Sequence, residues 1–180
     1  MIPDRILTNK DTKDERILRH KTKEAHPSSF SAGEKKELLE TMKKTMRRAH
    51  GVGLSANQIG LPYRLFVAEV PRDDGTLKFY AIFNPQIEKL SKEQDFLEEG
   101  CLSVPGTYGE VKRSLEVTLK GIDKNGKAVK IKAWGLLAHV FQHEVDHLDG
   151  KLFIDKGRNL HEVPVGDRLK KHASKIKKDR

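Results

Sequence analysis

Two segments of the chain repeat apolar residues at the spacing of an α-helix. The first begins at Ser31 and Glu34, a capping-box pair whose side chains satisfy backbone N–H groups at a helix N-terminus. Apolar side chains then recur every three or four residues, at Leu38, Leu39, Met42, Met46 and Ala49. Gly51 follows, and glycine is typical of the position just after a helix. This pattern predicts an amphipathic N-terminal helix that packs on a core.

The second helical segment, residues 135–148, is apolar around most of its circumference. Its apolar positions are Leu136, Leu137, Ala138, Val140, Phe141, Val145 and Leu148. A helix of this composition is predicted to be buried on nearly all sides. We therefore expect it to run through the interior of the protein.

Residues 114–122 instead alternate apolar and polar side chains, as a half-buried strand does. The apolar set is Leu115, Val117 and Leu119. An Asn125-Gly126 turn and a return through Val129 and Ile131 predict a β-hairpin.

Three more runs are rich in strand-forming residues: 64–70, 78–83 and 86–90, the last two separated by Asn84-Pro85. They predict an antiparallel sheet. The whole chain, residues 1–180, is predicted to be one α+β domain, with antiparallel sheets packed around the buried helix.

The buried helix carries His143-Glu144-Val145-Asp146-His147, an H-E-x-x-H pattern. Histidines four residues apart project roughly 40° apart from a helix, so both imidazoles can reach one metal ion. Glu144 falls roughly 60° further round, where its carboxylate can reach a water at that ion. Burying two histidines without partners is costly, which favours a metal site.

Hydrolytic sites of this kind use three protein ligands and leave one position open. A metzincin site is excluded because Phe153 stands where its last histidine would be. Glu162 is available for a thermolysin-like site, but it follows His147 too closely for the usual second helix. Cys101, the only cysteine, is the better candidate, and its alternative role is a small core hydrophobe.

One cysteine cannot form an internal disulfide, which fits a reducing compartment. We find neither an apolar run of membrane-spanning length nor a leader with a charged and then an apolar region. The sequence therefore predicts a cytoplasmic protein that neither spans a membrane nor is secreted through an N-terminal signal.

The net charge of +9 is concentrated at the C-terminus, where residues 168–180 hold seven Lys or Arg and one acid. Such a run is typical of a solvated helix end or tail. The other interpretation is a polyanionic partner, RNA rather than DNA.

Residues 51–58, Gly-Val-Gly-Leu-Ser-Ala-Asn-Gln, are rich in small side chains. They do not form a P-loop, because no strand precedes them and its Lys-Ser/Thr pair is missing. The segment is either a plain turn or a loop that lets a ligand approach the backbone, with the Gln58 amide as a hydrogen-bond donor.

Three segments together resemble the peptide deformylase family: residues 51–58, Glu99-Gly-Cys-Leu-Ser103 and Gln142-His-Glu-Val-Asp-His147. Their order and spacing are also similar, from about Ile17 to about Ile154. The resemblance implies a metallohydrolase that removes the formyl group from the formyl-methionine of nascent polypeptides and releases formate. It also implies one divalent metal ion. Ferrous iron is the ion that the resemblance favours, although zinc, nickel and cobalt suit the same ligand types.

The resemblance also implies roles for individual residues. The implied metal ligands are Cys101, His143 and His147. Glu144 is the implied acid/base, while the Leu102 backbone N–H and the Gln58 side chain are implied to bind the formyl oxygen as it becomes an oxyanion. The positions implied to contact the substrate are Gly53, Leu136, His139 and Val140.

Two positions depart from the family pattern. Ser55 stands where alanine is common, and His139 stands where apolar residues commonly line the methionine pocket. Two other functions stay open: a metallohydrolase of another small amide, and a non-catalytic domain stabilised by a metal. A structural metal site normally uses four protein ligands, and no fourth is evident.

A further expectation concerns the back of the buried helix. Asp146 points roughly 60° away from the His143 direction and would be a buried carboxylate without compensation. The sequence predicts that it pairs with Arg113.

Overall fold

A computed structural model describes residues 2–72 and 74–163. The helices are α1 (Thr12–Leu18), α2 (Ala32–Arg48) and α3 (Gly135–Leu148). The strands are β1 (Gly53–Ser55), β2 (Leu65–Pro71), β3 (Leu77–Leu90), β4 (Gln94–Cys101), β5 (Val104–Ser114), β6 (Glu116–Asp123), β7 (Ala128–Trp134) and β8 (Arg158–Glu162). The α+β class is confirmed, and the predicted basic tail, residues 168–180, lies outside the described residues.

Two antiparallel sheets make up the β part of the described chain. The larger has the strand order β1-β2-β3-β6-β7, and the smaller has the order β4-β5-β8. β1 and β4 are therefore edge strands, one in each sheet. This matters for function, because β4 ends at Cys101 and β1 contains Gly53 and Ser55.

The helix α3 is buried as predicted, with its apolar side chains in the main core. Phe141 is fully buried, and its ring lies 5.6 Å from the rings of both Phe66 and Tyr80 in the larger sheet. Aromatic pairs at this separation stabilise a core beyond the area that they bury. The larger sheet thus fixes α3 from one side, and the smaller sheet approaches its polar side.

The helix α2 packs on a second core with Leu38, Leu39, Met42 and Met46 buried. Its predicted capping box is confirmed, because Ser31 N donates to Glu34 Oε2 (2.8 Å) and Glu34 N donates to Ser31 Oγ (3.2 Å). The helix ends two residues before the boundary that Gly51 predicted, since the last helical residue is Arg48. His50 takes the left-handed conformation that we expected of the glycine, with φ of 56°.

The hairpin of β6 and β7 is confirmed, with Val117 paired to Ala133 and Leu119 paired to Ile131. Leu115, however, lies in the connection before β6 and is 41% exposed. It is therefore not part of the inward-facing set that the alternation predicted.

The predicted break at Asn84-Pro85 is wrong, because β3 continues through it as one strand. The register against β6 shifts between Phe83 and Gln86, and Asn84 has a positive φ of 48°. Proline is tolerated at such a bulge, since the bulge leaves the ladder without one of its N–H donors. Two turn-forming residues here bend a strand instead of ending it.

Two elements near the N-terminus were not predicted. The helix α1 has few apolar residues, and its stability comes from the Asp11 side chain, which accepts hydrogen bonds from the backbone of Lys13 and Asp14. The strand β1 comes from the glycine-rich segment, which we had described as a turn or loop. Within the described residues, no helix is long and apolar enough to cross a membrane.

Candidate metal centre

Three side chains predicted as metal ligands meet at one point. Cys101 Sγ lies 3.1 Å from His147 Nε2, which in turn lies 3.1 Å from His143 Nε2. The three donor atoms all lie within 4.8 Å of one another. At this separation a single cation could contact all three donor atoms at once. The trio therefore fits a metal ion, with the sulfur and nitrogen donors that zinc and other transition metals accept.

The elements that carry these ligands explain why they converge. His143 and His147 lie one turn apart on the rigid helix α3, and Cys101 is the last residue of β4. The chain turns back sharply after it, so that Ser103 N can donate to Cys101 Sγ (3.4 Å). That contact fixes the sulfur at the end of β4, on the side that faces α3.

A buried carboxylate, Glu99, supports this centre from behind. It accepts a hydrogen bond from His143 Nδ1 (2.8 Å), which leaves the Nε2 lone pair of that ring free for a metal. Arg113 and His139 donate to the same carboxylate. Burial alone would raise the pKa of Glu99, but the hydrogen bonds from His139, His143 and Arg113 outweigh it and hold that pKa well below its usual range.

The predicted pair of Asp146 and Arg113 is confirmed. Arg113 Nη1 donates to Asp146 Oδ2 (2.5 Å), and both side chains are mostly buried. Lys156 Nζ donates to the same carboxylate from the solvent side (2.8 Å). Because Arg113 also binds Glu99, one guanidinium joins α3 to both β4 and β5.

Glu144 is 3% exposed and lies against the glycine-rich segment. Ser55 Oγ lies 2.6 Å from Glu144 Oε2, within hydrogen-bond distance. A Cβ placed on Gly53 would overlap the Glu144 carboxylate, so a larger residue there would displace that carboxylate. Burial raises the pKa of Glu144 to about 7, against the lowering effects of His143 and Ser55. A carboxyl group with such a pKa can both accept and release a proton near neutral pH.

The two residues predicted to bind an oxyanion lie beside Cys101. Gln58 Nε2 donates to Ser103 Oγ (3.1 Å) and lies 3.7 Å from Cys101 Sγ. Its Oε1 accepts from Ser55 N (2.8 Å), which fixes the orientation of the amide. Leu102 lies in the turn between β4 and β5 and is partly buried. The structure thus brings both residues to the centre, while their role stays a prediction.

The other substrate-contact predictions fall on one side of α3. Leu136 is 39% exposed and Val140 is buried in the main core. His139 instead faces the smaller sheet, with Nε2 2.7 Å from Glu99 Oε1, and burial lowers its pKa. The alternative third ligand, Glu162, is exposed in β8 and pairs with Thr107, so it is not among the converging side chains.

Comparison with known proteins identifies this arrangement. Residues 4–163 match the family model described as polypeptide deformylase. The chain belongs to the peptide deformylase family. It is 42% identical over 168 residues to the peptide deformylase of Chloroflexus aurantiacus, which covers 87% of this chain and 88% of that protein.

Solved deformylase structures share the fold. The peptide deformylase of Synechococcus elongatus in complex with actinonin has a TM-score of 0.76 and 34% identity, covering 88% of this chain and 81% of that one. The Met-Ala-Ser-bound class I type b deformylase of Acinetobacter baumannii has a TM-score of 0.76 and 29% identity, covering 84% and 96%. This chain is accordingly a metal-dependent hydrolase that removes the N-terminal formyl group from nascent polypeptides.

Several residues around the centre were not predicted from the sequence. Glu99 belongs to the segment that contains Cys101, and the sequence analysis predicts no role for it. It lies two residues before Cys101 on β4, where alternate side chains share a face. Asn57, whose Nδ2 donates to the His147 carbonyl (2.7 Å), was also missed. The alternation of β4 was a usable signal for Glu99, whereas the contact of Asn57 depends on tertiary packing.

We predict that Arg113→Ala lowers the free energy of unfolding by about 3–5 kcal/mol, because it leaves the buried Glu99 carboxylate without its guanidinium partner and takes one of two cations from Asp146. Asp146→Asn should cost less, since Asp146 is partly reached by solvent and Lys156. Urea unfolding at fixed metal concentration measures both.

The matched control is Arg48→Ala, which breaks an exposed pair with Asp4 and should change stability by no more than ~1 kcal/mol. An Arg113→Ala protein as stable as this control would contradict the supporting role of Arg113.

Proposed function

We propose that the centre at Cys101, His143 and His147 is the active site for deformylation, with Glu144 as its acid/base. The observation that carries the proposal is the convergence of one sulfur and two nitrogen donors within 4.8 Å, next to a buried glutamate. A divalent ion held there supplies Lewis acidity, which brings the pKa of an adjacent water toward ~7.

Glu144 accepts the proton of the water that attacks the formyl carbon. Its position suits this step, because Ser55 holds one carboxylate oxygen and the backbone at Gly53 leaves space for the other. As the carbon–oxygen bond forms, negative charge moves to the formyl oxygen. Glu144 then gives its proton to the amine nitrogen as the carbon–nitrogen bond breaks, so that formate and a free N-terminus are released.

Gln58 and Leu102 stabilise the developing oxyanion. The Gln58 amide is oriented by Ser55 N and Ser103 Oγ, so its N–H groups are held beside Cys101 before the substrate arrives. The Leu102 backbone N–H is the second donor. In typical oxyanion sites each such donor contributes roughly 2.7–4 kcal/mol to transition-state stability.

The peptide substrate binds in extended form along the edge strands β1 and β4. Main-chain pairing at a sheet edge gives affinity without dependence on sequence, which suits an enzyme that acts on many nascent chains. Gly53 lies on β1, and the exposed side chain of Leu136 on α3 contacts the methionine. Contacts from Val140, which is buried in the main core, and from His139, which is bound to Glu99, stay predictions from the sequence. The solved Acinetobacter baumannii deformylase with bound Met-Ala-Ser supports a peptide-binding groove of this kind.

We infer that the native ion is ferrous iron, which the family resemblance favours, although one thiolate and two imidazoles also suit zinc, nickel and cobalt. We also infer a single domain over residues 1–180 and a cytoplasmic location, where nascent formylated chains are found. Metal analysis of protein purified without oxygen, beside its activity on a formyl-methionyl peptide, tests the choice of iron.

We predict that Glu144→Gln keeps its metal while kcat falls by roughly 10² to 10⁴, the usual contribution of a positioned acid/base group. KM should change little, because the substitution preserves size and hydrogen bonding. Steady-state kinetics on a formyl-methionyl peptide give both values, and metal analysis of the same sample is the control. A metal-replete variant with kcat within about tenfold of the parent, a loss of no more than ~1.4 kcal/mol, contradicts the assignment.

We predict that Cys101→Ala loses tightly bound metal, since two imidazoles alone hold a divalent ion weakly. The control is Ser103→Ala, which leaves all three ligands in place. Equilibrium dialysis followed by metal analysis compares the two. One tightly bound ion per chain in the Cys101→Ala protein, with full activity, rules out Cys101 as a ligand.

A further proposal is that the basic segment at residues 168–180 docks the enzyme on ribosomal RNA. Its seven Lys or Arg exceed what solubility requires. Replacing its five lysines by glutamine should weaken ribosome co-sedimentation at low salt, and should leave hydrolysis of a free formylated dipeptide unchanged. The control is a variant in which five surface lysines outside residues 168–180 are replaced by glutamine. Equal co-sedimentation of the two variants would show that the segment does not bind the ribosome.

A further inference from the structure

The Glu99 carboxylate has all four of its hydrogen-bonding positions in use. Oε1 accepts from Arg113 Nε (2.6 Å) and His139 Nε2 (2.7 Å). Oε2 accepts from Arg113 Nη2 (3.1 Å) and His143 Nδ1 (2.8 Å). An ionised carboxylate has about four lone-pair sites, so it is saturated by these donors.

The hydrogen bond from His139 to Glu99 serves a different purpose from the other three. Arg113 holds Glu99 in the plane of its guanidinium, and His143 is the group that Glu99 orients. His139 supplies the remaining donor, from the turn of α3 that precedes His143. Its side chain is 16% exposed, and Glu99 is only 1% exposed, so water does not easily take its place.

Without the His139 donor, Oε1 would keep one partner while remaining buried. An unsatisfied carboxylate oxygen in such a place is costly, so Glu99 would rotate or admit water to recover a hydrogen bond. Rotation would weaken the Oε2 contact with Nδ1 that sets the tautomer and ring orientation of His143, and an admitted water would loosen the packing that holds the carboxylate in place. The hydrogen bond from His139 therefore affects the orientation of His143.

We propose that His139 is a positioning residue, which acts through Glu99 to hold His143 in its metal-binding orientation and so slows metal release. This rests on the proposed ligand role of His143. It adds a function to a position that the sequence assigned to the substrate pocket, since the Nε2 side of the ring is committed to Glu99.

The experiment measures how fast bound cobalt leaves the full-length protein for an excess of chelator, followed by the absorbance of the cobalt–thiolate bond. His139→Leu and His139→Met remove the donor and should release cobalt about tenfold faster than the parent, at the low end of the usual effect of outer partners of a metal ligand. His139→Gln, whose amide can donate to Glu99, should stay within about threefold of the parent.

Two further comparisons separate this role from general loosening of α3. Leu137→Ala removes a partly buried apolar side chain of the same helix and should release cobalt at the parent rate. In a Glu99→Gln background, His139→Leu should change the rate by less than about twofold, because the residue through which it acts is already altered.

The outcomes also distinguish this inference from the proposed function. If His143→Ala retains cobalt as the parent does, the ligand set itself is wrong. If His143→Ala loses cobalt while both apolar His139 variants release it at the parent rate, the ligand set stands and the role of His139 is overturned. Equal acceleration by Leu137→Ala, or no recovery in His139→Gln, overturns it as well.

Discussion

The buried carboxylate of Glu99 is the constraint on which the rest of this site depends. A charge taken out of water costs several kcal/mol unless every lone pair finds a donor. Glu99 lies on β4, and its donors come from β5 and α3. Glu99 therefore joins the smaller sheet to the central helix, together with the pair of Arg113 and Asp146. The same bonds orient His143, so stability and metal binding share a cause.

The glycine-rich segment and the H-E-x-x-H helix form one unit although they are far apart in the chain. Gly53 leaves the space that the Glu144 carboxylate occupies, and Ser55 contacts both that carboxylate and the Glu144 main-chain carbonyl (3.0 Å). Gln58, three residues later, is oriented by the backbone of Ser55. The small residues of this segment are therefore required by the helix that packs on it, as well as by any ligand that approaches.

Local features of the site could be predicted from the sequence, whereas its long-range contacts could not. The spacing of His143 and His147 is a property of one helix, and the hairpin of β6 and β7 is a property of alternation and a turn. The bonds of Glu99 to Arg113 and His139 depend on strand register and on how α3 crosses the smaller sheet. The pair of Asp146 and Arg113 could be predicted, because an acidic side chain on a buried helix requires a cationic partner. The strand break predicted at Asn84-Pro85 was wrong because these residues can either end a strand or form a bulge within it. Only the pairing of β3 with β6 decides between the two.

The origin of the ligands on two separate elements has a thermodynamic consequence. An ion held by Cys101, His143 and His147 would join the end of β4 to the C-terminal half of α3, and close a long loop of chain that is open in the unfolded state. It acts as a reversible cross-link whose contribution to folding grows with the logarithm of free metal concentration. The melting temperature of this protein is therefore a property of the protein and its buffer together.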